Sequence, residues 1–379
     1  MHIERVHFYV ENASKWSDWF VKVMGFRAIA SSQDLQTQTE VVSSGDNNGI
    51  KLVFSAPRTE SSPIAQYLRQ HPPGVADVAF LVRDIQAVME RVMDCGAKVL
   101  QPLQRKEFVG GCLQWSKISN NVAFNHTLIQ RTGKTPLLPE LRSRFAGAAA
   151  PPQQLWLTEQ KVLFNAIDHL VLNVAAGYLQ PTVDWYEKVL GFQRKQTFAI
   201  ETQDSGLYSQ VMVHPVSGVQ FPINEPISIN SQVQEFLDIN RGAGIQHIAL
   251  KTTDITGVTK QLRAAGMSFL SVPDSYYEQL AKEGSTRQLS PQEWQEIVQQ
   301  KILVDSGQET TSNLSPLLLQ IFTQPIFNEP TFFFEIIERR EQACGFGEGN
   351  FRALFAAIEQ EQSKRGSLKH NNSRTKKGL

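Results

Sequence analysis

The sequence has little cysteine and no excess charge of either sign. Its three cysteines, Cys95, Cys112 and Cys344, are scattered without a CxxC spacing, which argues against a disulfide framework and a zinc-thiolate site and fits a reducing compartment. Lys plus Arg number 37, as do Asp plus Glu, so no global field draws the chain to nucleic acid or an anionic membrane, and a ligand must be held by local chemistry. A small molecule is the expected partner. No apolar run approaches the ~20 residues of a membrane span, and MHIERVHFYV reads as a strand rather than a leader. The expectation is a soluble, cytoplasmic protein whose 379 residues suffice for two domains, each with its own core.

What the sequence does contain is repetition. GVADVAFLVRDIQAVMERVMDCGAKVL from Gly74 runs in register with GIQHIALKTTDITGVTKQLRAAGMSFL from Gly244. Both read as strand, amphipathic helix ending at Gly96 or Gly266, then strand. Upstream, VHFYVENASKWSDWFVKVMGFRA resembles DHLVLNVAAGYLQPTVDWYEKVLGFQR, with His7 set against His169 and four more residues between His and Trp in the later copy. HTLIQR from His126 lines up with EIIERR from Glu335. Four related units in two halves make an α+β fold of paired βαβββ modules, two per domain, with a helix at the C-terminal end. SRFAGAAAPPQQLWLTE has the composition of a linker, which places the boundary near residue 152, with domains at 1–152 and 153–362. The basic stretch 363–379 cannot bury a face and reads as a disordered tail, with a nucleic-acid arm as the sharper alternative.

Two strands carry ionisable residues among apolar neighbours. Alternation puts Ile167, His169 and Val171 on one face, and Ile245, His247 and Ala249 on another. A lone His on such a face is more often a hydrogen-bonded core residue than a ligand. Glu335 in TFFFEIIER changes the balance, because an ionised carboxylate there is costly unless a cation or donor compensates it. Two imidazoles and one carboxylate from equivalent strands are the set that holds non-haem Fe(II) with open positions, and zinc competes on ligand identity alone. The first half offers His7, Asp77 and His126 at the matching positions, so ligand count does not choose between halves. The second half adds Gln246, Asn224, Gln320 and Phe322, and a helix with Gly349-Asn350 as its N-cap that aligns Phe351, Leu354, Phe355 and Ile358. GFGEGN lacks the βαβ context of a phosphate loop.

The stretches GAGIQHIAL, FPINEP, LLLQIFTQP, FFFEIIERR and GFGEGNFRALFAAIE resemble the 4-hydroxyphenylpyruvate dioxygenase family of the vicinal-oxygen-chelate superfamily, and the resemblance runs from residue 3 to about 368. It implies Fe(II) held by His169, His247 and Glu335 in the second half only, with a non-catalytic first half. It further implies a pocket in which Phe322, Phe351 and Phe355 clamp a ring and Ser209, Asn224 and Gln232 face its phenol, beside Pro222. Gln246 and Gln320 would serve the chelate and oxygen end, and Asn350 would line the pocket with them. The implied reaction takes 4-hydroxyphenylpyruvate and O2 to homogentisate and CO2, in tyrosine catabolism or quinone-precursor supply, and relatives are homodimers or homotetramers. Three rivals stand beside it. Hydroxymandelate synthase shares substrate and metal, an extradiol dioxygenase would need a further acid/base His of which only His214 is on offer, and a non-catalytic binding protein would need a pocket alone.

Overall fold

The computed structural model describes residues 1–46, 48–120, 124–139, 142–143, 162–201, 205–283, 288–306 and 316–367. The expected linker boundary near residue 152 and most of the basic tail lie outside these residues. Residues 363–365, assigned to the tail, continue the last helix, where Arg365 pairs with Glu235.

The first half supplies β1 (His2–Tyr9), α1 (Ala13–Lys22), β2 (Arg27–Gln33), β3 (Thr37–Ser43), β4 (Lys51–Pro57), α2 (Pro63–Gln70), β5 (Gly74–Leu81), α3 (Ile85–Asp94), β6 (Lys98–Phe108), β7 (Gly111–Ser119), β8 (Asn125–Gly133) and the short β9 (Arg142–Ser143). The second supplies β10 (Ala166–Asn173), α4 (Leu179–Leu190), β11 (Gln193–Glu201), β12 (Gly206–Val213), β13 (Gln220–Pro226), α5 (Gln232–Asn240), β14 (Gly244–Lys251) and α6 (Ile255–Ala264), then α7 (Asp274–Glu283), α8 (Pro291–Gln300), β15 (Leu303–Ser306), β16 (Leu317–Phe322), β17 (Phe333–Arg340) and α9 (Phe351–Arg365). The sheets run β6-β7-β8-β5-β1-β4-β3-β2-β9 and β11-β12-β13-β10-β14-β17-β16-β15. Each is two βαβββ modules joined along β1/β5 or β10/β14, as the repeats require. The aspartates closing the repeated strands, Asp84 and Asp254, cap α3 and α6 by accepting from the N–H groups of Ala87 and Gly257. Gly96 and Gly266 follow these helices with φ of 64° and 95°, which an L side chain resists.

Simple alternation fails at two bulges. Between Ile167 and His169 the register on β14 skips Asp168, and between Ile245 and His247 the register on β10 skips Gln246. A bulge turns two consecutive side chains to one side. Ile245 and Ile248 therefore both enter the apolar core, while Gln246 and His247 both face away from it. Ile167 likewise leaves the face of His169 and Val171. The first half has the same irregularities, skipping Glu4 on β1 and Ala76 on β5.

Matching the two halves by strand register corrects the alignment read from the sequence. Ala79 lies opposite Arg5 as Ala249 lies opposite His169, and Asp77 lies opposite His7 as His247 lies opposite Val171. Across the parallel pairs, Ala79 faces Thr127 as Ala249 faces Glu335. The first-half counterparts of His169, His247 and Glu335 are thus Arg5, Asp77 and Thr127, not His7, Asp77 and His126. Asp77 is buried, accepts a hydrogen bond from Thr127 Oγ1 at 2.9 Å, and has its carboxyl raised by burial against the opposing pull of Lys117 and Arg5. A guanidinium stands where the second half has the His169 imidazole.

One apolar core joins the halves, uniting Val6, Phe8, Phe20 and Phe80 with Leu170, Leu172, Phe221 and Phe334. His126 is part of this junction. Its Nδ1 donates to the Val78 carbonyl at 3.1 Å, and its Nε2 accepts from the Tyr186 hydroxyl across the junction at 2.8 Å. Burial holds it neutral and pushes its pKa down to about 4, against the raising effect of Val78. The unfolded chain protonates this residue near pH 6.5, before the folded one can. Its contribution to stability is therefore complete above pH 6.5 and declines toward pH 4, by roughly 3 kcal/mol in all. In urea titrations the advantage of wild type over His126→Gln is expected to shrink by that amount between pH 7 and pH 4; a constant difference would contradict it.

Candidate metal centre

Three strands of the second sheet bring His169, His247 and Glu335 together, each with one ligand atom within 4.8 Å of the others. Glu335 Oε2 lies 3.1 Å from His169 Nε2 and 3.6 Å from His247 Nε2, and His169 and Glu335 are each 2% exposed. The bulges are what make the imidazoles point inward. Each skipped residue sits beside one of the two histidines and accepts from its Nδ1: Asp168 from His169 at 2.9 Å, Gln246 from His247 at 3.4 Å. That fixes the tautomer with the Nε2 lone pair toward the centre.

Asp168 is in turn held by Arg339 through bonds of 2.7 and 2.8 Å. Arg339 also donates to the carbonyls of Ala343 and Gly345. The first half repeats this device without any ligand to serve: Glu4 pairs with Arg131, which donates to the carbonyls of Pro136 and Leu137. The acid-arginine pair is a staple of the fold that the second half also uses to orient His169.

An Nε2 lone pair facing a carboxylate oxygen at 3.1 Å needs a cation between them or a proton on one of them. Burial would lower the His169 pKa, but the charge of Glu335 and the bond to Asp168 overcome it and push it up to about 9. Burial would raise Glu335, yet His169 brings it down to about 2. His247 stays lowered by burial despite Glu335. Two neutral nitrogens and one carboxylate oxygen, with no thiolate, fit a divalent non-haem metal, and they lie on one side of an open cavity.

That cavity holds about 610 Å³ when the open solvent at its mouth is counted. Ser209, Pro222, Asn224, Gln232, Gln246, Phe322, Phe351 and Phe355 line it with the three ligand residues. Ser209 and Asn224 are direct cross-strand partners on β12 and β13, which makes a polar patch on the wall. Leu354 and Ile358 of α9 complete the helical side. Two expected site residues stand elsewhere. Gln320 uses its amide on Glu335 and the Phe346 carbonyl, and Asn350 is bonded to Gln320, so both are buried behind Glu335 rather than on the cavity wall. Asn350 does occupy the N-cap position of α9, but its side chain makes no capping bond. His214 bonds to Ser217 and lies off the cavity, so it is no acid/base for this site.

Sequence reasoning missed Phe198, Phe333 and Phe346. Phe333 stacks on His247 with ring centres 4.8 Å apart, and Phe346 meets His169 edge-on at 5.1 Å. Phe333 was detectable, since it alternates with Glu335 on β17. Phe346 sits in a loop, where periodicity gives no signal.

Among the described residues no helix is long and apolar enough to cross a membrane. A family model described as Glyoxalase/Bleomycin resistance protein/Dioxygenase superfamily matches residues 166–282, and a second with the same description matches 4–112. The chain is 34% identical over 387 residues to 4-hydroxyphenylpyruvate dioxygenase of Caenorhabditis briggsae, covering 97% of this chain and 94% of the relative. It is 35% identical to the enzyme of that name from Dictyostelium discoideum, covering 96% and 99%. Among solved structures, a mutant of 4-hydroxymandelate synthase from Streptomyces coelicolor superposes with a TM-score of 0.80 at 24% identity over 95% of this chain and 98% of that one, which shows a shared fold. Near-full-length identity to several curated relatives, on two superfamily modules that bring two histidines and a glutamate together, shows that the chain belongs to the 4-hydroxyphenylpyruvate dioxygenase family.

Proposed function

We propose that this chain converts 4-hydroxyphenylpyruvate and O2 to homogentisate and CO2 with Fe(II) held by His169, His247 and Glu335. The observation that carries the reading is a buried two-histidine, one-carboxylate set opening onto a cavity walled by phenylalanines with one polar patch. Fe(II) bound there would supply oxygen activation and a chelating centre for the 2-oxo acid. The protein's residues do the rest. Asp168 and Gln246 hold both imidazoles in the ligand tautomer. Phe322, Phe351 and Phe355 flank the ring and exclude water, while Ser209, Asn224 and Gln232 meet the phenol. A single glutamate leaves the divalent centre with one net positive charge, which the substrate carboxylate neutralises in a site too apolar to tolerate an uncompensated ion.

The test is oxygen uptake with Fe(II), ascorbate and 4-hydroxyphenylpyruvate, with the product separated against homogentisate and 4-hydroxymandelate standards. Homogentisate supports the reading, 4-hydroxymandelate keeps the metal centre but overturns the outcome given to the ring, and absence of uptake with bound iron rejects the substrate. Zinc loading is expected to give no uptake.

The polar patch makes its own forecast. Asn224→Ala should raise KM for 4-hydroxyphenylpyruvate roughly tenfold, the worth of one hydrogen bond of about 1.4 kcal/mol, while leaving binding of phenylpyruvate, which lacks the phenol, unchanged. Equal effects on both ligands would remove Asn224 from the phenol end.

A further inference from the structure

Behind Glu335, on the side away from the cavity, a line of hydrogen bonds leads to a residue on an inserted helix. Gln320 Nε2 donates to Glu335 Oε1 at 2.8 Å, and Asn350 Nδ2 donates to Gln320 Oε1 at 3.0 Å. The Tyr276 hydroxyl, on α7, donates to Asn350 Oδ1 at 2.7 Å and accepts from the Val304 N–H at 2.8 Å. The hydroxyl also lies 2.9 Å from the Val304 carbonyl, but its one proton goes to the nearer Asn350. The two ends fix the direction of every bond. An ionised carboxylate can only accept and a backbone N–H can only donate, so each amide between them has one permitted orientation.

Three features connect this line to the ligand rather than to the fold. The internal repeat serves as the control. Register on β7 and β8 puts Trp115 where β16 and β17 have Gln320, and the first half passes from α3 to β6 with no counterpart of α7. The half that lacks the ligand set lacks the line as well. Secondly, Asn350 stands at the N-cap of α9 yet gives its side chain to Gln320 and Tyr276, leaving the helix uncapped. Thirdly, Gly347 has φ of 77°, and a Cβ there would lie 1.9 Å from Gln320 Oε1. Only glycine leaves Gln320 in place.

We propose that Tyr276 is a positioning residue for Glu335, acting through Asn350 and Gln320 to tie back Oε1 so that Oε2 alone is presented beside the two histidines. This rests on Glu335 being a metal ligand. A carboxylate tied by one oxygen offers a single donor atom and leaves positions at the centre open for substrate and oxygen. Released, it can turn and offer both.

Tyr276→Phe and Asn350→Asp break the line at two links with almost no change of volume. In competition with a chromophoric chelator, each is expected to lower the affinity for Fe(II) about tenfold or more, as loss of an orienting partner does elsewhere. Each should also alter the visible absorption of the Co(II)-substituted protein, and kcat should fall more than KM rises. Tyr277→Phe is the matched control, because the neighbouring hydroxyl has no hydrogen-bond partner among the described residues; it should leave metal affinity and the Co(II) spectrum unchanged. Wild-type affinity and spectrum in either of the two test variants overturns the proposal, as does a loss in Tyr277→Phe equal to theirs. Metal retained in Glu335→Ala would instead defeat the ligand assignment on which the proposal stands.

Discussion

Glu335→Ala is expected to reduce metal occupancy, measured by elemental analysis after gel filtration, to background, and turnover by at least about a hundredfold. The carboxylate contributes the only negative charge of the ligand set, and it is buried at 2% exposure between two imidazoles. Removing one member of such a buried charged group costs about 3–5 kcal/mol, which is the source of that factor. Glu335→Gln keeps the size of the side chain and can still accept the bond from Gln320, but not the charge. It should lose metal nearly as completely, which separates charge from shape. Full occupancy with normal turnover in Glu335→Ala would leave the site without its central assignment.

Phe8→Ala is expected to destabilise the protein by about 3–5 kcal/mol and to loosen both sheets together. Phe8 is fully buried on β1 of the first half, stacks on Phe54 at 5.3 Å, and meets Phe332 of the second half edge-on at 5.2 Å. Phe20 likewise meets Phe334, next to Glu335, edge-on at 5.8 Å. Truncation at Phe8 opens a cavity in a core that the halves share, so hydrogen exchange should accelerate in β16 and β17 as well as in β1 and β4. Acceleration confined to the first sheet would show that the halves are energetically separate.

Much of this was legible in the sequence because repetition displays itself without any structure. The paired modules, the glycines after α3 and α6 and the apolar stripe of α9 all follow from local pattern. His169, His247 and Glu335 could be singled out as a candidate metal set because a glutamate in FFFEIIER is too costly to be decoration, and the structure brings the three together. The face assignments around them were not, since a bulge inserts one residue without leaving a mark in composition. Asp168 and Gln246 look like ordinary members of alternating strands, and only pairing across the sheet shows that they are the extra residues. The same blindness misplaced the match between halves. His7 and His126 attract alignment because they are histidines, whereas the backbone puts Arg5 and Thr127 in the equivalent places. Gln320 and Asn350 were expected at the chelate end and on the pocket wall, but whether such residues touch substrate or stand behind Glu335 depends on contacts between residues 15 and 30 positions apart.

The arginine at position 5 has a consequence for how the protein is made. A guanidinium stays charged at every physiological pH, and no chelator, competing cation or oxidant strips it away. The interior of the first half is therefore complete as soon as the chain folds. In the second half the His169 imidazole stands in the place of that guanidinium, and the charge of Glu335 and the bond to Asp168 hold its pKa above the ordinary value although burial opposes them.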